Sequence, residues 1–226
     1  MLFRRRRDRE ETNDLGHDLP AGARHYRAFV GPPVNYDIIS AMQFNLLTSV
    51  GLRERHTLLD IGCGSLRAGR LFIPYLLPGH YFGLEPNRWL VEQGVNKEIG
   101  RDLIKLKRPV FEHNGEFKLT VFGRQFDYLI AQSIFSHAAP AQIEKCLSEA
   151  SKVMHPNSIF LATYVPGPKN YDGREWVYPE CVNYTEERML QFVREAGLTA
   201  KPQTWHHPHN QHWLMITHHD QGASAP

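Results

Sequence analysis

The sequence lacks any apolar run near the ~20 residues that a membrane-crossing helix needs, so no membrane partner is expected. Cysteine is scarce: Cys63, Cys146 and Cys181 make an odd count with no paired metal spacing, which argues against a disulfide framework and suits a reducing cytosol. Internal repeats and a Ser/Gly-rich linker are also missing, so the 226 residues read as one domain. Neither sign of charge dominates, since 26 lysines and arginines stand against 24 acids, and a protein organised around nucleic acid is not expected. The N-terminal MLFRRRRDREE has no apolar stretch after its arginines and is not a signal peptide. Residues 1–20 are expected to form a flexible charged tail, and residues 21–220 the domain.

What the sequence does have is an alternation of two periodicities. Ile38, Ile39, Met42, Leu46, Leu47 and Val50 recur at helical spacing before Gly51. TLLDIG follows as a short buried strand, SLRAGRLFIPYLL as a helix stopped by Pro78-Gly79, and HYFGLEP as a second strand. After two helical patterns and a loosely placed third strand around PVFEHNGEFKL, the strands QFDYLIAQ and SIFLATYV flank the helix AQIEKCLSEASKVM. The helix TEERMLQFVREAG leads to two closing strands, TAKPQTWH and HWLMITHH, whose short connection forces them to be antiparallel. Strands alternating with helices predict an α/β fold with a mostly parallel sheet covered on both faces, binding ligands beyond the carboxyl ends of its strands.

The stretch LLDIGCGSLRAGR, residues 58 to 70, places a Gly-x-Gly turn at such a strand end. Glycine at 62 and 64 allows a ligand to lie directly on the backbone. Two ligand classes compete. A dinucleotide normally wants Gly-x-Gly-x-x-Gly, but Arg67 stands where the third glycine would fall. S-adenosylmethionine carries no phosphate but has a ribose, a zwitterionic amino acid and a sulfonium. Asp60 can face its amino group, and Glu85, ending the second strand, can accept both ribose hydroxyls.

The ordered set LLDIGCG, YFGLEP, FDYLIAQSIFSH and SIFLATY resembles the successive motifs of the class I S-adenosylmethionine-dependent methyltransferases. That resemblance implies a three-layer Rossmann-like sandwich with a seven-strand, mostly parallel sheet, its antiparallel last strand inserted between the fifth and sixth. It implies S-adenosyl-L-methionine as the cofactor, with Asp60, Gly62, Cys63, Gly64, Glu85 and Gln132 around it. An acidic residue after the third strand should face the adenine, and Glu116 is chosen for it over Asn114. The sequence departs from the family pattern at Leu66, which replaces a third glycine.

Methyl transfer from a sulfonium is an in-line displacement, so positioning and removal of the acceptor's proton dominate. His137, just after the fourth strand, and His207, in HHPHNQHW, are the candidate bases. Ser133, Tyr164, His209 and Gln211 are the polar candidates for acceptor binding. Two segments are expected to cover the pocket, HYRAFVGPPVNYD from the N-terminal side and PGPKNYDGREWVYPECVNY after the fifth strand, bringing Tyr26, Tyr36 and Trp176 to the acceptor. The clustered histidines 206, 207, 209 and 212 are read as a polar turn, and no metal is expected. Some nucleic-acid amine methylases carry Asp- or Asn-Pro-Pro-aromatic where this chain has Gln132-Ser133-Ile134-Phe135. A small polar acceptor methylated at oxygen is therefore preferred, with RNA methylation or a non-catalytic cofactor-binding module as alternatives.

Overall fold

The computed structural model describes residues 15–218. Of the tail expected over residues 1–20, residues 1–14 lie outside the described residues, and 15–20 form an exposed turn beside the buried Gly16.

Strands β1 (Leu58–Ile61), β2 (Tyr81–Leu84), β3 (Val110–Glu112), β4 (Phe126–Ala131) and β5 (Met154–Pro166) pair in parallel. The two-residue β6 (Asn183–Tyr184) adds to the end of β5, and β7 (Leu198–Gln203) and β8 (His212–His218) close the sheet. The order is β3-β2-β1-β4-β5-β8-β7, with β8 antiparallel to both neighbours. Leaving the short β6 aside, this is the seven-strand sheet that the family resemblance implies, with the antiparallel closing pair that the short connection predicts.

Every residue of β1 and β2 is buried, as expected for strands covered on both faces. The two-residue period of a strand then divides the core in two. Leu59, Ile61, Phe82, Leu84 and Leu129 pack with Ile143, Leu147, Phe192 and Val193 from helices α5 (Pro140–Val153) and α6 (Glu186–Glu195). Leu58, Tyr81, Ile130 and Trp213 pack on the opposite face with Leu47 of α1 (Tyr36–Ser49) and Phe72 and Ile73 of α2 (Gly69–Tyr75). Helices α3 (Arg88–Gly94) and α4 (Arg101–Lys107), joined by a π-helical turn at Val95–Ile99, connect β2 to β3.

The helix expected to start at Ser65 begins at Gly69 instead. Leu66 has φ +61°, a left-handed conformation that no right-handed helix can contain. Its side chain is fully buried, and that burial offsets strain of about 1–2 kcal/mol. Because β1 lies between β2 and β4, the sheet reverses its winding there, and a crevice opens above the carboxyl end of β1.

Candidate active site

At that crevice a cavity of about 470 Å³ is lined by Gly62 and Gly64 from the turn after β1, Leu84 and Glu85 from the end of β2, and Gln132 to Ile134 from the end of β4. Its size suits one small organic ligand. Leu90, Phe117 and Ile134 supply apolar walls, Phe29 and Val30 enter from the N-terminal segment, and His137, Trp176 and Tyr178 complete the far side.

The turn needs its glycines. Gly62 has φ +74° and Gly64 φ +55°. A Cβ at 62 would fall 2.1 Å from Ile134 Cδ1, and one at 64 would fall 2.7 Å from Val30 Cγ1. Glu85 braces the turn, with Oε2 accepting the Gly64 N–H at 3.1 Å and Oε1 accepting the backbone and side-chain N–H groups of Asn87, each at 2.9 Å. Burial raises its pKa above the ordinary carboxylate value, while these donors pull it back. Protein donors thus occupy three of its roughly four acceptor sites. The expected reception of two ribose hydroxyls narrows to one open position on Oε2.

Asp60 and Cys63 lie beneath the turn and do not line the cavity. The Tyr81 hydroxyl donates to Asp60 Oδ2 at 2.7 Å, and burial pushes the Asp60 carboxyl up to about 6. Cys63 fills the space over Gly83, where an added Cβ would meet its Sγ at 2.8 Å. After β3, Glu116 is exposed and does not line the cavity, whereas the alternative Asn114 does, with Gly115 and Phe117.

The end of β4 is held from behind. Ser133 adopts φ +58°, and its N–H donates to Thr163 Oγ1 at 2.8 Å. Gln211 accepts from Thr163 Oγ1 at 2.6 Å and donates to Ser133 Oγ at 2.7 Å. Gln132 Oε1 accepts from Arg67 Nη2, and its Nε2 approaches His207 Nε2 at 3.0 Å. The His209 N–H donates to His207 Nδ1 at 3.1 Å, and Asn35 Nδ2 lies 2.8 Å from His209 Nε2. His207, His209 and Gln211 therefore form a second layer behind Gln132 and Ser133, off the cavity wall. Burial, with His209, Arg67 and His206 adding positive charge, pushes the His207 pKa down to about 3. A base facing the acceptor at His207 does not fit this placement.

Three expected aromatic contacts are likewise elsewhere. The Tyr26 hydroxyl donates to Glu98 at 2.9 Å, and the Tyr36 hydroxyl to the Ser65 carbonyl at 3.0 Å. Tyr164 is fully buried in β5 opposite His212. Aromatic rings with polar tips serve a core as readily as a cavity, and here they serve the core. Trp176 does line the cavity, its ring tilted against that of His137 at 5.5 Å between centroids, and the His137 ring also packs 5.0 Å from Tyr178.

The N-terminal segment is tied down by a ring of charges. Arg27 binds Glu98 at 2.6 Å and Asp37 at 3.3 Å, and Arg70 binds Asp37 at 2.6 Å and Glu98 at 3.1 Å. Arg67 Nη1 donates to the Val30 carbonyl at 2.7 Å. The sequence gives no sign of Arg67 or Asn87 in the wall, whereas Val30 falls in the expected covering segment, just before its Gly31-Pro32-Pro33 break.

A doubly wound sheet with a glycine turn at its switch point and a buried carboxylate beside that turn defines a nucleoside-cofactor enzyme. A dinucleotide fits poorly, because its pyrophosphate needs a helix N-terminus, whereas α2 starts only at Gly69 and the Gly64 N–H is already given to a carboxylate. S-adenosylmethionine fits: the glycine turn lines the cavity, and the remaining Oε2 site on Glu85 beside it suits a hydroxyl donor.

Residues 59–160 match the model of a methyltransferase domain family. The magnesium protoporphyrin IX methyltransferase of Synechocystis PCC 6803, solved with bound SAM, superposes with a TM-score of 0.62 at 13% identity, over 83% of this chain and 81% of that one. A S-adenosylmethionine-dependent methyltransferase from Clostridium acetobutylicum ATCC 824 gives 0.60 at 12% identity, over 81% and 92%. The glycopeptide N-methyltransferase MtfA gives 0.61 at 9% identity, over 79% and 90%. Structural likeness at such identities speaks for the fold. The domain match over residues 59–160 and the shared fold of these neighbours together support a class I S-adenosylmethionine-dependent methyltransferase domain. No helix among the described residues is long and apolar enough to cross a membrane, and none of their His, Cys, Asp and Glu side chains group to hold a metal.

Proposed function

We propose that this methyltransferase acts on a hydroxyl oxygen of a small polar acceptor, with His137 as the general base. The observation that carries this reading is the ring's tautomer. His137 Nδ1 lies 2.9 Å from the Val177 carbonyl and 2.8 Å from that of Glu180. Both partners are acceptors, so the ring proton sits on Nδ1 and donates to them, and Nε2 keeps its lone pair. Burial lowers the pKa below the ordinary value, so the imidazole is neutral at physiological pH and able to take a proton.

S-adenosylmethionine, when bound, supplies an electrophilic methyl group. The chain's own groups do the rest. Glu85 and the glycine turn orient the cofactor, Gln132 and Ser133 border the transfer region, and the Phe29-Val30 and Trp176-Tyr178 walls restrict water. The two covering segments that wall the cavity favour a small molecule over RNA. The arginine run that would favour RNA lies outside the described residues.

The test is methyl transfer from isotopically labelled S-adenosylmethionine to a panel of hydroxyl-bearing and amine-bearing metabolites, with mass spectrometry locating the label. Label on oxygen, lost in His137→Gln without loss of S-adenosylhomocysteine binding, is the expected result. Label on nitrogen, or full turnover in His137→Gln, sinks the proposal.

A further inference from the structure

Arg67 is buried, at 8% exposure, and lines the cavity. Its two hydrogen bonds among the described residues go to neutral oxygens, the Val30 carbonyl and Gln132 Oε1, and no carboxylate among them lies within ion-pair distance of it. The contrast with Arg27 and Arg70 is direct, because each of those bonds both Glu98 and Asp37. Asp60 attracts Arg67 only from a longer distance, with an oxygen already taken by Tyr81. An arginine remains charged when buried, and its desolvation costs several kcal/mol unless an anion comes to it.

A second donor faces the same cavity without an acceptor. The Tyr178 hydroxyl is buried and has no hydrogen-bond partner among the described residues. Arg67 and Tyr178 are near enough for each to influence the other's ionisation. Arg67 Nε also has no acceptor among the described residues. Two donors lining one cavity, one of them charged, match a group with two anionic oxygens. The Tyr178 ring packs against His137, so an anion held here sits beside the proposed base.

We propose that Arg67 and the Tyr178 hydroxyl form an anion subsite that receives a carboxylate of the methyl acceptor, making the acceptor a hydroxyl-bearing carboxylic acid. This rests on the small-acceptor reading above and narrows it. The cofactor's own amino-acid carboxylate offers the same chemistry, and the experiment separates the two sources.

The protein saturated with S-adenosylhomocysteine is titrated calorimetrically with 4-hydroxybenzoate, salicylate and mandelate, and with the uncharged amide of each. At least one acid should bind the wild type about tenfold or more tightly than its amide. Arg67→Met and Tyr178→Phe should each weaken that acid by about tenfold, Arg67→Lys less, with S-adenosylhomocysteine affinity kept within about threefold. No preference for any acid over its amide in the wild type overturns the proposal. So does Arg67→Met weakening S-adenosylhomocysteine tenfold while leaving 5′-methylthioadenosine unchanged, which assigns the guanidinium to the cofactor. If Arg67→Met disrupts the fold and loses both nucleosides, Tyr178→Phe decides, and unchanged acid binding in it overturns the subsite. Labelled methyl transfer to a neutral alcohol would overturn the subsite while leaving oxygen methylation standing.

Discussion

Replacing Glu85 with glutamine changes one atom and tests the cofactor site directly. The carboxylate holds the Gly64 N–H on one oxygen and both Asn87 donors on the other, leaving one acceptor position for a ligand hydroxyl. A glutamine carbonyl can replace only one of these oxygens. If it faces Asn87, the new NH₂ points at the Gly64 N–H; if it faces Gly64, it points at Asn87. In the first arrangement the open Oε2 position is lost outright. A hydrogen bond to a charged group is worth about 1.5–3 kcal/mol, which corresponds to roughly a 10- to 150-fold loss in affinity. Isothermal titration with S-adenosylhomocysteine reads this number, and circular dichroism verifies that the variant folds. A dissociation constant within threefold of the wild type, in a folded variant, would refute the placement of the ribose at Glu85.

Asp60 has its pKa raised from 3.8 to about 6, so the native state binds that proton more tightly than the unfolded chain does. Its contribution to stability is fully present below about pH 4 and lost as pH rises towards 6, about 3 kcal/mol in all. Urea unfolding between pH 4 and 7 should therefore show the wild type losing stability relative to Asp60→Asn across that window, and parallel curves would contradict it. Gly64→Ala forces a side chain onto φ +55° and into Val30 Cγ1, costing about 1–2 kcal/mol of stability and weakening S-adenosylhomocysteine; thermal melts with and without ligand measure both. His137→Gln should lower kcat by about 10²- to 10⁴-fold. The acid limb of the wild-type kcat/KM profile should lie below 6.5, because burial lowers that ring's pKa, and a limb above 6.5 would count against His137 as the base.

The topology was legible because strand runs, helix periods and the short closing connection are local signals that the sheet must obey. The cavity end was legible for the same reason: Gly62, Gly64, Glu85 and Gln132, which line it, sit at strand ends that pattern alone locates. Asp60 was placed one layer too near the ligand, since a strand's alternation reveals which side a residue faces but not that Tyr81 waits beneath it. Tyr36 and Tyr164 carry the same amphipathic ring as Trp176, and only the packing of α1 and β5 decides that two are core and one is wall. Glu116 and Asn114 differ by two positions in an irregular loop, where no periodicity fixes register. In the sequence Arg67 stands only where a third glycine is absent, and its chemistry follows from the carboxylates around it, which only the fold positions.

The wall built by Phe29 and Val30 separates two quantities that are usually treated as one, the smallest piece that folds and the smallest piece that binds. Everything the sheet requires begins at α1, and the family match begins later still, at residue 59. A chain cut at Tyr36 would keep every strand pairing and both cores. It would also remove the carbonyl that Arg67 Nη1 bonds, strip Arg27 from Glu98 and open one side of the cavity. Such a truncation can look well folded by spectroscopy and still be a poor receptor, so a boundary chosen by domain matching alone would cut away part of the site.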